Sequence, residues 1–131
     1  SKTLKQWKIN RDPWPLNSFA IKAGIELLSN KKFYAKWTRQ IHRWINIERE
    51  RVCKKLSKIE SLKVHKSSTN FFLIEGKTSL SPNIKYLENK GILIRECSSF
   101  RSLDEKWARI SLQNRKNNNL LCKEIQNSFK K

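Results

Sequence analysis

An α+β fold, a small mixed sheet packed with helices, is predicted by three features of this sequence. Apolar side chains recur at three- and four-residue intervals from Lys32 to Ile59, the mark of one long amphipathic helix. Two short runs, Ile92–Arg95 and Trp107–Leu112, alternate with the period of two that belongs to strands. Helix-start residues at Asn17, Ser81-Pro82 and Asn114 interleave further helices with strands. The resulting order is helix, long helix, strand, strand, helix, strand, strand, helix, a layered α+β arrangement.

Composition bounds what such a domain does. At 131 residues, 37% of them apolar with five tryptophans and six phenylalanines, the chain has material for one hydrophobic core. No apolar run approaches the roughly 20 residues that span a bilayer, and a cytoplasmic setting is expected. The net charge of +18 would suit a polyanion, but the 29 Lys and Arg are dispersed along the chain. A basic, nonspecific nucleic-acid or anion-binding module is therefore the alternative function, and an inert interaction domain a third. Cys53, Cys97 and Cys122 are widely spaced and form no CxxC pair, so neither a disulfide framework nor a zinc site is expected. Two histidines give metal catalysis little to build on.

The elements follow in order. Ser1 to Arg11 is basic and shows no core pattern. Asp12-Pro13-Trp14-Pro15-Leu16-Asn17 should be extended, because each proline restricts itself and its predecessor. Asn17 caps a helix carrying Phe19, Ala20, Ala23, Leu27 and Leu28. Trp37, Ile41, Trp44, Ile45, Val52, Leu56 and Ile59 make one stripe on the long helix, expected to face a core. His42 belongs to its polar side. Leu62–His65 and Asn70–Ile74 read as strands around a Lys66-Ser67-Ser68-Thr69 turn, with Glu75-Gly76-Lys77 ending the second. Pro82 sits in the first turn of a helix that Gly91 stops. Asn114 caps the last helix, whose core stripe is Leu121, Ile125 and Phe129.

Alternation gives the two later strands a common feature. Ala108, Ile110 and Leu112 share one face, leaving Arg109 on the other; Ile92 and Ile94 likewise oppose Arg95. Two guanidiniums on neighbouring strands could grip an anion with two negative ends. The same pattern also describes two solvated residues at a sheet edge.

The blocks Gly91-Ile92-Leu93-Ile94-Arg95-Glu96-Cys97-Ser98-Ser99-Phe100, Trp107-Ala108-Arg109-Ile110-Ser111 and Asn114 to Leu121 carry a resemblance. They resemble the end of a PLP-dependent class I/II aminotransferase, in the branch of histidinol-phosphate aminotransferase and threonine-phosphate decarboxylase. Pro13-Trp14-Pro15-Leu16-Asn17 fits where that family passes from its large into its small domain. Arg-Glu-Cys-Ser-Ser-Phe looks more like the cobalamin-synthesis enzyme than the histidine-synthesis one. The resemblance implies that residues 18–131 are a C-terminal small domain and 1–17 a lead-in from a large PLP-binding domain. The large domain would be its partner within a homodimeric, cytoplasmic enzyme acting on a phosphorylated amino acid or amino alcohol. Pyridoxal 5'-phosphate would be bound in the full-length protein by a lysine upstream of the matching region. Ser1-Lys2-Thr3 stands too late in the family order to be that lysine's motif. No catalytic, cofactor-binding or metal-binding residue is therefore expected in this chain, which alone should do no PLP chemistry. The resemblance aligns Arg109 with the arginine that binds the substrate carboxylate, and Arg95 with the one near the phosphate end. Arg115, just beyond the second strand, is a competing candidate for either.

Overall fold

The computed structural model describes residues 2–10 and 15–130. Two compact units divide the chain, Ser1–Gln40 and Ile41–Lys131. No helix among the described residues is long and apolar enough to cross a membrane.

In the first unit, helix α1 (Lys2–Asn10) forms where the sequence showed no core pattern. Its straight-chain Lys, Leu and Gln residues favour helix without needing a buried face. The extended segment expected at Asp12 to Trp14 lies outside the described residues; Pro15 to Asn17 is neither helix nor strand. Helix α2 (Ser18–Ser29) starts as expected on Asn17, whose Oδ1 accepts the Ala20 N–H at 2.9 Å. Helix α3 (Lys31–Leu56) starts in the same way, with the Phe33 N–H donating to Asn30 Oδ1 at 3.0 Å. No residue of α2 is buried, and Phe19 is 88% exposed. Gly24, Leu27 and Leu28 of α2 and Phe33, Tyr34 and Trp37 of α3 line an apolar cavity of about 430 Å³. The long stripe on α3 is thus a core face only at its C-terminal end. Trp37 and Trp44 stay half-exposed, while Val52 and Leu56 are fully buried.

The second unit holds a four-stranded sheet of β1 (Leu62–Val64), β2 (Phe71–Gly76), β3 (Arg95–Glu96) and β4 (Trp107–Ser111). Its order is β1-β2-β4-β3, and every pairing is antiparallel rather than mixed. The α+β class holds. One face packs Leu62, Phe72, Ile74, Ala108 and Ile110 against α3, α4 (Ser81–Glu88) and α5 (Arg115–Ser128), which contribute Val52, Leu56, Ile84, Leu87, Leu121 and Ile125. Asn114 caps α5 as predicted, its Oδ1 accepting the Asn117 N–H at 2.9 Å. The other face carries Lys63, Phe71, Leu73, Glu75, Trp107, Arg109, Ser111 and Arg95, all half-buried or exposed.

Two strand boundaries differ from expectation. β2 runs two residues beyond Ile74 and ends at Gly76, which pairs with Leu62 at the last rung of the ladder. A Cβ there would lie 2.6 Å from the Thr78 carbonyl oxygen and 2.8 Å from Leu80 Cδ2, so glycine at the strand end also permits a close approach. The first of the later strands shrinks to Arg95–Glu96 because Ile92 is used to close α4. Gly91, at φ 71°, donates to the Glu88 carbonyl and Ile92 to the Leu87 carbonyl, both at 2.9 Å, the Schellman pattern of a helix end. Gly76→Ala should therefore destabilise the chain by about 1–3 kcal/mol through overpacking, read as a lower urea midpoint with an unchanged slope.

Candidate functional site

The β3–β4 register sets Arg95 directly opposite Arg109. Opposed residues of an antiparallel pair project to the same face with Cβ atoms roughly 5 Å apart. Both guanidiniums therefore stand on the open face of the sheet. Upstream of Arg95 the chain parts from β4, because Ile92 is tied to the end of α4. The gap is a cavity of about 570 Å³ lined by Gly91 to Arg95, Arg109 to Ser111, Gln113 and three residues of α5.

Each guanidinium rests on an aromatic ring. Arg109 Cζ lies 5.0 Å from the Phe71 ring centroid, and Arg95 Cζ 5.7 Å from that of Phe100. Arg95 Nη2 also donates to Ser99 Oγ at 3.4 Å, and Arg109 Nε is buried with no hydrogen-bond partner. Like charges directly opposite one another are destabilising, and a buried N–H without an acceptor costs more.

No carboxylate among the described residues relieves this pair, because the nearby acids are committed elsewhere. Glu75, on the same face, meets Lys63 Nζ at 3.4 Å and His65 Nε2 at 2.9 Å, and the His65 hydrogen bond draws its carboxyl below the usual range. Glu96 pairs with Ala108, so it projects to the opposite face, where Ser81 Oγ donates to it at 3.3 Å. The Cys97 thiol is pushed up by burial, against the pull of Arg109 and Arg95, which keeps it protonated and a poor nucleophile. Two guanidiniums so placed are chemically suited to an anion.

Arg115, the competing candidate, belongs to a different structure. Its Nε donates to Glu48 Oε1 at 2.8 Å. Glu48 is fully buried on α3 and also accepts from Arg51 Nη2 at 2.7 Å and Asn118 Nδ2 at 3.1 Å. Asn118 in turn exchanges hydrogen bonds with the Gln113 backbone, at 2.6 and 2.8 Å, just past the end of β4. This network ties α3 and α5 to the strand that carries Arg109.

Phe71, Phe100 and Glu48 were not singled out by sequence reasoning. Glu48 left a signal, an acid in line with Ile41, Ile45, Val52 and Leu56 and three residues before Arg51. Phe71 left none, because Phe71-Phe72-Leu73-Ile74 is apolar throughout and shows no alternation to assign faces.

Residues 1–125 match the family described as aminotransferase class I and II. The chain belongs to that family. Within it, the chain is 31% identical over 120 residues to a protein of Caldanaerobacter subterraneus provisionally described as a threonine-phosphate decarboxylase, covering 91% of this chain and 32% of that protein. It is 30% identical over 116 residues to a histidinol-phosphate aminotransferase of Archaeoglobus fulgidus, covering 88% and 32%. Among solved structures, the L-threonine-O-3-phosphate decarboxylase of Porphyromonas gingivalis superposes with a TM-score of 0.70 at 29% identity, over 99% of this chain and 39% of the other. The histidinol-phosphate aminotransferase of Clostridium acetobutylicum gives 0.74 at 26%, over 96% and 37%. This aminotransferase-family chain thus spans about a third of the length of the curated relatives it matches.

The Glu48 network carries a pH signature. Hydrogen bonds from Arg51, then Asn118 and Arg115, outweigh burial and lower the Glu48 carboxyl from 4.5 to about 2. A lowered carboxyl contributes stability that is fully present above its unfolded value near 4.5 and lost as pH falls toward about 2. Urea titrations between these limits should show a progressive loss of stability that Glu48→Gln largely abolishes. At neutral pH, Glu48→Ala should cost about 1–3 kcal/mol, since it removes the acceptor shared by Arg51, Arg115 and Asn118 while both guanidiniums keep access to water.

Proposed function

We propose that this chain is the substrate-gripping C-terminal small domain of a PLP-dependent enzyme acting on a phosphorylated amino acid or amino alcohol. The observation that carries the reading is the in-register pair Arg95 and Arg109, two unneutralised guanidiniums on one face of the sheet. Relatives whose names specify threonine phosphate and histidinol phosphate support the substrate class. Their greater length supports a further, PLP-holding domain outside this sequence.

The lining of the cleft supports a part in substrate binding rather than in cofactor attachment. It is lined by two arginines and no lysine, so it offers no amine to which an aldehyde cofactor could be joined. Held elsewhere on the polypeptide, PLP would supply an electron sink for bonds at the substrate Cα. The part played by this chain is positional. The Arg109 fork takes the carboxylate through two parallel N–H···O bonds, which fixes the orientation of the bonds around Cα. Arg109 is the deeper of the two, half-buried on the inner strand with an idle Nε. Arg95 lies exposed on the edge strand, where a larger and more strongly hydrated phosphate dianion can approach. A carboxylate on one and a phosphate on the other would satisfy both guanidiniums and remove their mutual repulsion.

Kinetics on the full-length enzyme test both roles. Arg109→Lys keeps the charge but loses the fork, and should lower kcat/KM for a phosphorylated amino acid by about 10- to 100-fold with PLP binding little changed. Arg95→Ala should cost phosphorylated substrates at least as much, and unphosphorylated analogues little. Near-normal efficiency in Arg109→Lys, or equal losses on both substrate types in Arg95→Ala, would contradict the corresponding role.

A further inference from the structure

We infer that Phe71, on β2, is a positioning residue that sets the plane of the Arg109 guanidinium for the substrate carboxylate; the inference rests on the carboxylate role proposed for Arg109. The sheet register fixes the contact. Phe71 pairs with Ser111, and Leu73 with Arg109, so Phe71 is the diagonal neighbour of Arg109 on the open face. Such diagonal positions lie within reach of an aromatic ring and a long side chain. The ring accordingly sits beneath the guanidinium, 5.0 Å from centroid to Cζ.

The chemistry of that contact differs from that of an ion pair. A ring under a guanidinium attracts the cation through its π face and consumes none of the in-plane N–H donors. A carboxylate binds a guanidinium edge-on, in that same plane. Phe71 therefore restricts the rotation of the fork while leaving its donors free, which a carboxylate neighbour would not do. No hydrogen bond to Arg109 Nε anchors the fork either. Burial accounts poorly for the phenylalanine, because Phe71 is 37% exposed whereas its neighbour Phe72 is 1% exposed in the core. Arg95 has the same device in Phe100 but adds a hydrogen bond to Ser99, so its orientation depends less on the ring.

The test compares two ligands of the full-length enzyme, O-phosphothreonine and the phosphate ester of aminopropanol, which is the same molecule without its carboxylate. The readout is the ratio of their dissociation constants, which a partial loss of folded protein leaves untouched. Phe71→Leu should weaken O-phosphothreonine about threefold to tenfold relative to the carboxylate-free ligand. Phe71→Trp, which restores a π face, should keep the ratio of the unsubstituted enzyme. Phe100→Leu, beneath the other arginine, should weaken both ligands alike, since both carry the phosphate. An unchanged ratio in Phe71→Leu, or the same change in Phe71→Trp or Phe100→Leu, overturns the inference. Arg109→Lys in parallel separates the two levels. If it too leaves the ratio unchanged, the carboxylate role of Arg109 is what has failed. If it changes the ratio and Phe71→Leu does not, only the role of Phe71 has failed.

Discussion

Two permanently charged side chains held opposite one another across a strand pair repel, and the β3–β4 register that imposes this arrangement is the constraint on which the site depends. A slip of one residue would turn Arg95 to the helix-covered face and expose Glu96 in its place. The register is held by Cys97, whose N–H donates to the Trp107 carbonyl at 3.0 Å, and by the burial of Ala108 and Ile110 on the core side of β4. The short strand also creates the space. Because Ile92 closes α4 instead of pairing with β4, the chain diverges upstream of Arg95 and leaves a cleft where a longer strand would have filled it.

Support for Arg109 comes from further away. The buried Glu48 draws in Arg51 from its own helix and Arg115 and Asn118 from α5, and Asn118 clasps the backbone just beyond β4. The Glu48 carboxylate is thereby fully engaged by these partners and does not reach the arginines of the open face. The division of the cations follows from that. Arg115 is paired with Glu48, whereas Arg95 and Arg109 line the cleft on aromatic supports. Aromatic supports of this kind leave the in-plane N–H donors of both guanidiniums uncommitted to the ring.

Much of this was legible in the sequence, and what was hidden had a common cause. Asn17, Ser81-Pro82, Gly91 and Asn114 marked helix ends correctly because each acts through hydrogen bonds or dihedral limits within a few residues. The two arginines emerged because strand alternation is also local. Gly76 was legible as the end of its strand, but not the close packing of Leu80 and the Thr78 carbonyl that requires glycine there, because that depends on how the chain folds back after the strand. The α3 stripe read as one core face, yet its N-terminal half stays half-exposed, since periodicity reports amphipathicity and not what covers it. The pairing of Arg115 with Glu48 joins residues far apart in sequence, so spacing alone could not show it.

The central claim is that Arg109 and Arg95 take the two ends of one doubly anionic substrate. A crystal structure of the full-length enzyme with O-phosphothreonine bound tests this most directly. The account predicts the carboxylate in the plane of the Arg109 guanidinium, joined by two parallel hydrogen bonds, with the phosphate against Arg95. A carboxylate held by other residues, or a ligand that leaves either arginine facing solvent, would contradict it.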